Sequence, residues 1–310
     1  MIFREAQERD IPQIVALLKS SLGEGLIPKS AALWKWKHEQ NPFGKSLVLV
    51  AEFEGRLIGV RAFLRWTWLE DSKRIEALRA VDTAVLPEMQ GLGVFSKLTK
   101  QLASKAEEDG FHFIFNTPNK KSLPGYLKLG WRNIGRVNLA IQWNHFFPTK
   151  TQKSTAISDE KWEKLKYIDF SNSKVGVRTL YSFAYIMWRY ANNPLFRYEL
   201  ITDEKNYVLI YRFKASKRLR EMRIVEFLVF GDEGTIDKAL LKKKLKQIQK
   251  SVHFTSCSLT LDALDIRKLG NFFRIPFGPK LTLKPLNFDQ NQLSKLKDQW
   301  KYSIGDFELF

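Results

Sequence analysis

The sequence predicts an α/β chain of the α+β kind, in which two halves repeat one order of helices and strands. Three observations predict it. Apolar residues at helical spacing alternate along the chain with short apolar and aromatic runs. The order helix, three strands, helix, strand, short helix occurs before residue 148 and again after residue 158. Short matches also fall at corresponding places. Trp36 precedes Asn41-Pro42 by the spacing at which Trp188 precedes Asn193-Pro194, and Lys128-Leu129-Gly130 returns as Lys268-Leu269-Gly270.

Asp10 suits the N-cap of a helix whose apolar residues Ile11, Ile14, Val15 and Leu18 share one face, and Gly23 and Gly25 end it. A second helix over Ser30–His38 stops before Asn41-Pro42, because proline disfavours helix in the residue before it. Strand-like runs follow at Leu47–Phe53, Arg56–Trp68 and Lys73–Leu86, with turns at Glu54-Gly55 and Glu70-Asp71-Ser72. Gly93–Asp109 reads as a helix with Phe95, Leu98, Leu102 and Ala106 on one face. Phe111–Phe115 is a short buried strand, Ser122 opens a brief helix that Gly130 ends, and Trp131–Trp143 reads as a strand or hairpin.

Residues 148–158 are polar and unpatterned, as a linker would be. The expected domains are therefore 1–147 and 159–310. Beyond the linker a helix runs to Asn192, and strands are expected near Glu199–Thr202, Tyr207–Phe213 and Arg223–Phe230. A helix over Thr235–Ser251, a strand over Thr255–Leu261 and a short helix ending at Gly270 complete the order.

Composition bounds the function. The chain has 310 residues, 44% hydrophobic and 27% charged, a globular balance that argues against disorder. No uncharged apolar stretch approaches the roughly 20 residues that span a bilayer. The N-terminus carries no apolar secretion segment, so a cytoplasmic location is expected. The single Cys257 excludes an intramolecular disulfide, four scattered histidines make no ligand constellation, and no metal is expected. The formal net charge is +18, with 22 basic and 15 acidic residues in 1–150 and 29 and 18 in the rest. Such a field suits an anionic partner: nucleic acid, a phosphorylated cosubstrate or an acidic acceptor. A basic surface with solvated lysines gives the same count.

Chemistry concentrates between Val81 and Phe95. A strand ends at Val85-Leu86-Pro87, and Gln90-Gly91-Leu92-Gly93-Val94-Phe95 opens a helix. Glycines let the backbone turn its N–H groups inward, next to the positive end of the helix. Together these make a pyrophosphate cradle that needs no charged side chain. A plain strand-to-helix turn has the same look. Downstream stand Asn119 and Ser122, then Tyr126-Leu127-Lys128-Leu129-Gly130-Trp131.

With both segments in view, the sequence resembles the GNAT superfamily of acyl-CoA-dependent N-acetyltransferases. Gln90, Gly91 and Gly93 match its Gln/Arg-x-x-Gly-x-Gly/Ala motif, with Phe95 where the family usually has Gly or Ala. Asn119, Ser122, Tyr126, Lys128, Gly130 and Trp131 match its later motif. The resemblance covers residues 1 to 147 and continues as a weak echo. It implies a largely antiparallel sheet in each half, splayed beside the cofactor strand. It also implies acetyl-CoA as cosubstrate, with the backbone of Thr83, Ala84 and Val85 pairing with the pantetheine arm. Amides of Gln90, Gly91, Leu92, Gly93, Val94, Phe95 and Ser96 would hold the pyrophosphate, and Asn119 would help to fix the cosubstrate. Tyr126 would protonate the leaving thiolate; otherwise it packs beneath Trp131. Asp82 is the best-placed carboxylate to take the proton from the amine; a solvated strand residue or an ion-pair partner are its other roles.

The second half lacks both elements. Gly231-Asp232-Glu233-Gly234 stands at the cradle position with two carboxylates that repel pyrophosphate, and Ile266 aligns with Tyr126. A degenerate, non-catalytic GNAT-like domain is expected there, with a basic helix face at Lys242, Lys243, Lys244, Lys246 and Lys250. The leading expectation is an N-acetyltransferase acting on a primary amine of a small molecule or peptide. A tRNA-dependent aminoacyltransferase of the peptidoglycan type suits the charge but needs no cradle. A binding module for acyl-CoA or nucleic acid needs no proton donor. The chain also resembles double-domain aminoglycoside acetyltransferases of the enhanced-intracellular-survival type, which use a terminal carboxylate, and the resemblance implies Phe310 as its counterpart.

Overall fold

The computed structural model describes residues 1–23, 27–149, 159–170, 176–216, 218–258 and 269–307. They form two compact units, Met1–Gly135 with Pro279–Asp298, and Arg136–Gly278 with 299–307. Each is a mostly antiparallel sheet flanked by helices. Among the described residues no helix is long and apolar enough to cross a membrane.

The sheet of the first unit contains β1 (Ile2–Glu5), β2 (Leu47–Phe53), β3 (Arg56–Glu70), β4 (Lys73–Val85), β5 (Phe113–Asn116) and β6 (Arg132–Arg136). Its order is β1-β2-β3-β4-β5-β14-β6, where β14 is Lys280–Pro285. β1 with β2, β2 with β3, β3 with β4 and β5 with β14 pair antiparallel, whereas β4 and β5 run parallel. The helices are α1 (Ile11–Leu22), α2 (Ala31–His38), α3 (Val94–Glu108), α4 (Leu123–Lys128) and, after β14, α8 (Gln290–Gln299). β3 is buried along most of its length, as expected of a strand covered on both faces. Phe63, Trp66, Trp68 and Phe115 fill the sheet side of the core, with Leu98 and Leu102 of α3 and Ile14 and Leu17 of α1 also buried. The ring of Phe115 meets Trp66 and Trp68 edge-on at 6.3 and 5.5 Å.

The second unit contains β7 (Leu139–Trp143), β8 (Val177–Thr179), β9 (Glu199–Thr202), β10 (Tyr207–Ala215), β11 (Arg220–Val229), β12 (Phe254–Ser258) and β13 (Phe273–Ile275). Its sheet order is β13-β7-β12-β11-β10-β9, and β11 and β12 form a parallel pair. The helices are α5 (Asp159–Glu163), α6 (Phe183–Ile186), which continues into a π-helical turn at Met187–Ala191, α7 (Lys238–Gln249) and α9 (Ile304–Phe307). Leu241 and Leu245 of α7 pack into a core with Leu209, Ile224 and Phe227.

The two Asn-Pro sites fold alike. Asn41 Oδ1 accepts from the N–H of Phe43 at 3.0 Å, and Asn193 Oδ1 accepts from Leu195 and Phe196 at 3.0 Å each. These are Asx turns, in which the side chain replaces the next turn of helix.

The boundary expected at the linker is crossed in both directions. Leu139–Trp143 does not turn back on Arg132–Arg136 as a hairpin; it pairs with β12 and β13. β14 lies beyond Gly270, where no element is predicted, and pairs antiparallel with β5. Alternation at Leu281 and Leu283 is too short a signal to assign a partner without the third dimension. Most of the linker, Ile266, Lys268 and Phe310 lie outside the described residues.

Candidate active site

The site begins with a defect in β4. Arg61 of β3 pairs with Thr83 but Ala62 pairs with Val81, so Asp82 is an extra residue in β4, a bulge with φ of 25°. Three residues earlier β4 has already lost its other neighbour. Its pairing with β5 covers Ala77–Arg79 against Phe113–Phe115 and goes no further. The N–H of Leu86 donates to Ile58 on β3, so alternation turns the amides of Val85 and Thr83 toward the edge that β5 has left. An unpaired strand edge of this kind accepts a strand-like ligand. The Val85 carbonyl accepts from Gln90 Nε2 at 3.2 Å and Ser21 Oγ at 3.1 Å, which ties the end of β4 to the next loop.

That loop delivers the chain to α3. Gly91 and Gly93 have φ of 80° and 78°, and a Cβ at either would meet nothing within 4 Å. Left-handed backbone here requires glycine, and the space beside it is open. Gly93 is the N-cap of α3 and has no side chain to satisfy the first-turn N–H groups of Val94, Phe95 and Ser96. The second unit does the opposite. Asp237 caps α7 by accepting from the N–H of Leu240 at 2.8 Å, and Asp232 Oδ1 accepts from Gly234 at 2.9 Å. A Cβ at Gly231 would collide with the Asn206 side chain.

Tyr126, on α4, is buried. Its ring meets Phe95 edge-on at 5.8 Å and Trp131 at 5.2 Å, so it does pack against Trp131. Asn119 is exposed, and its Oδ1 accepts from Lys121 at 3.0 Å and Ser122 at 2.9 Å. These bonds shape the start of α4, so only the Asn119 amide nitrogen remains for a ligand.

Comparison with known families decides what this arrangement resembles. Residues 3–134 match the acetyltransferase (GNAT) domain family. A probable N-acyltransferase of Enterococcus faecalis aligns over 92% of this chain and 73% of its own, at 12% identity and a TM-score of 0.65. A GCN5-related N-acetyltransferase from Anabaena variabilis gives the same coverage, at 14% identity and 0.63. The N-myristoyltransferase of Saccharomyces cerevisiae covers 99% of this chain and 86% of its own, at 9% identity and 0.57. At these identities the likeness is one of fold, and it extends across both units. No curated protein matches the sequence.

Within the stretch that matches the GNAT family, Asp82 is not free. Its Oδ2 lies 2.8 Å from Lys37 Nζ and 2.8 Å from His38 Nε2, and His38 Nδ1 lies 2.8 Å from Ser46 Oγ. Burial opposes ionisation of this carboxyl, but the Lys37 ammonium and the His38 contact outweigh it. They hold Asp82 well below the usual carboxylate range. Burial pushes His38 down against the pull of Asp82. A carboxylate so stabilised is a poor proton acceptor for an amine. Its surroundings are those of an ion-pair partner that pins the bulge to α2. Glu76 accepts from Thr67 Oγ1 at 2.9 Å, and His112 Nδ1 lies 3.1 Å from the Glu76 carbonyl, so both serve the strands.

Three buried groups near the splay escape sequence reasoning: Lys37, His38 and Arg61. Arg61 lies on β3 opposite Thr83 and donates through Nη1 to its hydroxyl. Its Cζ is 4.8, 5.7 and 5.2 Å from the ring centres of Phe63, Phe95 and Tyr126. The available signal was a lone arginine in phase with Gly59 and Phe63 of an apolar strand. A separate cleft of about 250 Å³ beside His38 is lined by Gln7, Glu8, Trp34, Ser46 and Lys105, and no predicted site residue reaches it. Among the described residues no cluster of His, Cys, Asp and Glu could hold a metal ion.

Proposed function

We propose that the GNAT domain transfers an acyl group, acetyl in the simplest case, from its coenzyme A thioester to a primary amine. One observation carries this. The unpaired edge at Thr83 and Val85 is followed by an α3 N-terminus without a side-chain cap, and Tyr126 packs edge-on against Phe95 in the first turn of that helix. A phosphorylated, strand-like thioester fits that combination. The edge amides of Thr83 and Val85 pair with its pantetheine amides, and Gly91 to Ser96 present N–H groups to its pyrophosphate. Asn119 steadies the same molecule through its amide nitrogen.

The thioester supplies an activated carbonyl; the protein supplies position and a proton. As the amine nitrogen bonds to that carbonyl and the C–S bond breaks, the Tyr126 hydroxyl donates to the sulfur. It regains a proton from solvent or from the amine. Asp82 takes a positioning part: its ion pair with Lys37 fixes the bulge that turns Thr83 toward the splay. The second unit, with its capped α7 and occupied loop, acts without a cosubstrate of its own and shapes acceptor recognition, for which the net charge of +18 favours acidic molecules.

The test is a thiol-release screen with acetyl-CoA against pooled amines. Release that depends on one amine class, lost in Tyr126→Phe, supports the function. Binding of coenzyme A without release in any pool would leave a binding module instead.

A further inference from the structure

Arg61 is fully buried, and among the described residues its Nε and Nη2 have no hydrogen-bond partner. A guanidinium stays ionised in proteins, so it keeps its charge and these donors away from water. The faces of Phe63, Phe95 and Tyr126 offset part of that cost but accept no N–H in the plane of the group. Nη1 is already engaged with Thr83. The two unpartnered nitrogens therefore share one edge of the guanidinium, the edge that grips a carboxylate through two parallel bonds.

The location says where that carboxylate belongs. Thr83 lies on the open edge of β4, and Tyr126 is the proton donor assigned above. Beside it stands Phe95, a half-buried ring 5.7 Å from Arg61 Cζ that also rests against Gly125. Phe95 is the residue that departs from the small side chain of the motif.

We propose that Arg61 recognises a carboxylate of the reacting molecules, so that the enzyme is selective for an acidic substrate at the reaction centre. This rests on the acyl-CoA reading above. The carboxylate has two possible sources: the far end of a dicarboxylic acyl group on the donor, or the amine acceptor.

Calorimetry on the full chain with succinyl-CoA, butyryl-CoA and acetyl-CoA tests the donor. Succinyl-CoA binding about 10–100-fold more tightly than butyryl-CoA, a preference erased by Arg61→Gln and not restored by Arg61→Lys, assigns the carboxylate to the donor. With acetyl-CoA saturating, thiol release is then compared for amine pairs that differ only in carboxylate against carboxamide. An advantage of about tenfold or more for the carboxylate member, again lost in Arg61→Gln, assigns it to the acceptor. Thioesters that bind equally, with acceptor pairs that react equally, would overturn the role of Arg61 while the acyltransferase stands. Failure of every thioester to bind would overturn the acyltransferase itself. Should Arg61→Gln fail to fold, the wild-type preferences still decide.

Discussion

Tyr126 and Asp82 stand on either side of the question of how protons move at the splay. Tyr126→Phe removes one hydroxyl and keeps both edge-on ring contacts, so coenzyme A affinity should barely change. Single-turnover chemistry should fall about 10²–10⁴-fold, measured at saturating acceptor. Unchanged chemistry with lost stability would make Tyr126 a packing residue. Asp82→Asn removes the counter-charge of buried Lys37 and should cost about 3–5 kcal/mol in a denaturant melt. The sign with pH follows from its depressed folded value. The contribution is present above the ordinary carboxylate value of 3.8 and is lost as pH falls below it. A variant with an unaltered acid limb would place the ion pair outside the stability of the domain. Tyr126 was legible because its motif fixes its distance from Gly130-Trp131. Arg61 was not, because a single arginine within β3 reads as an edge charge until its neighbours are known.

At the scale of elements, the contrast between α3 and α7 carries the difference between the units. Both follow a strand, but α7 begins with a carboxylate that satisfies its own N–H groups, whereas α3 begins with a bare glycine. Gly93→Ala meets no clash yet forces a β-carbon onto a left-handed backbone, which costs about 1–2 kcal/mol. The thermal melt should shift accordingly, and coenzyme A affinity should fall further in Gly93→Leu than in Gly93→Ala. Equal affinity in both would put the pyrophosphate elsewhere. The glycine pair, the helix and the preceding strand were readable from spacing alone. The splay was not: it depends on where β5 stops pairing, and a four-residue strand gives no register in sequence.

On the scale of the whole molecule, β14 returns from near the C-terminus to sit between β5 and β6. A fragment ending at residue 147 would expose the edge of β5, so it should aggregate or melt without cooperativity where the full chain does not. Most of the strands were legible in the sequence, but pairing between distant segments leaves only local alternation behind. The second unit holds a further buried device. Glu226 accepts from Tyr190 at 2.5 Å, Ser303 at 2.8 Å and Tyr181 at 3.0 Å, close to buried Asp306. Burial, then the Asp306 charge, pushes its carboxyl up to about 8. The folded state thus keeps a proton that the unfolded chain releases near 4.5, so stability should decline from about pH 4.5 through about pH 8. Glu226→Gln should flatten that decline in melts across the range; an unchanged slope would assign it to other groups.

One central claim ties these scales together: a single acyl-CoA site, built at the splay of the first unit and absent from the second. Calorimetric titration of the full chain with coenzyme A tests it directly. One site per chain is expected, abolished when Gly91 and Gly93 are replaced by leucine and untouched by Asp232→Ala. Two equivalent sites, or a site that survives the glycine replacements, would contradict it.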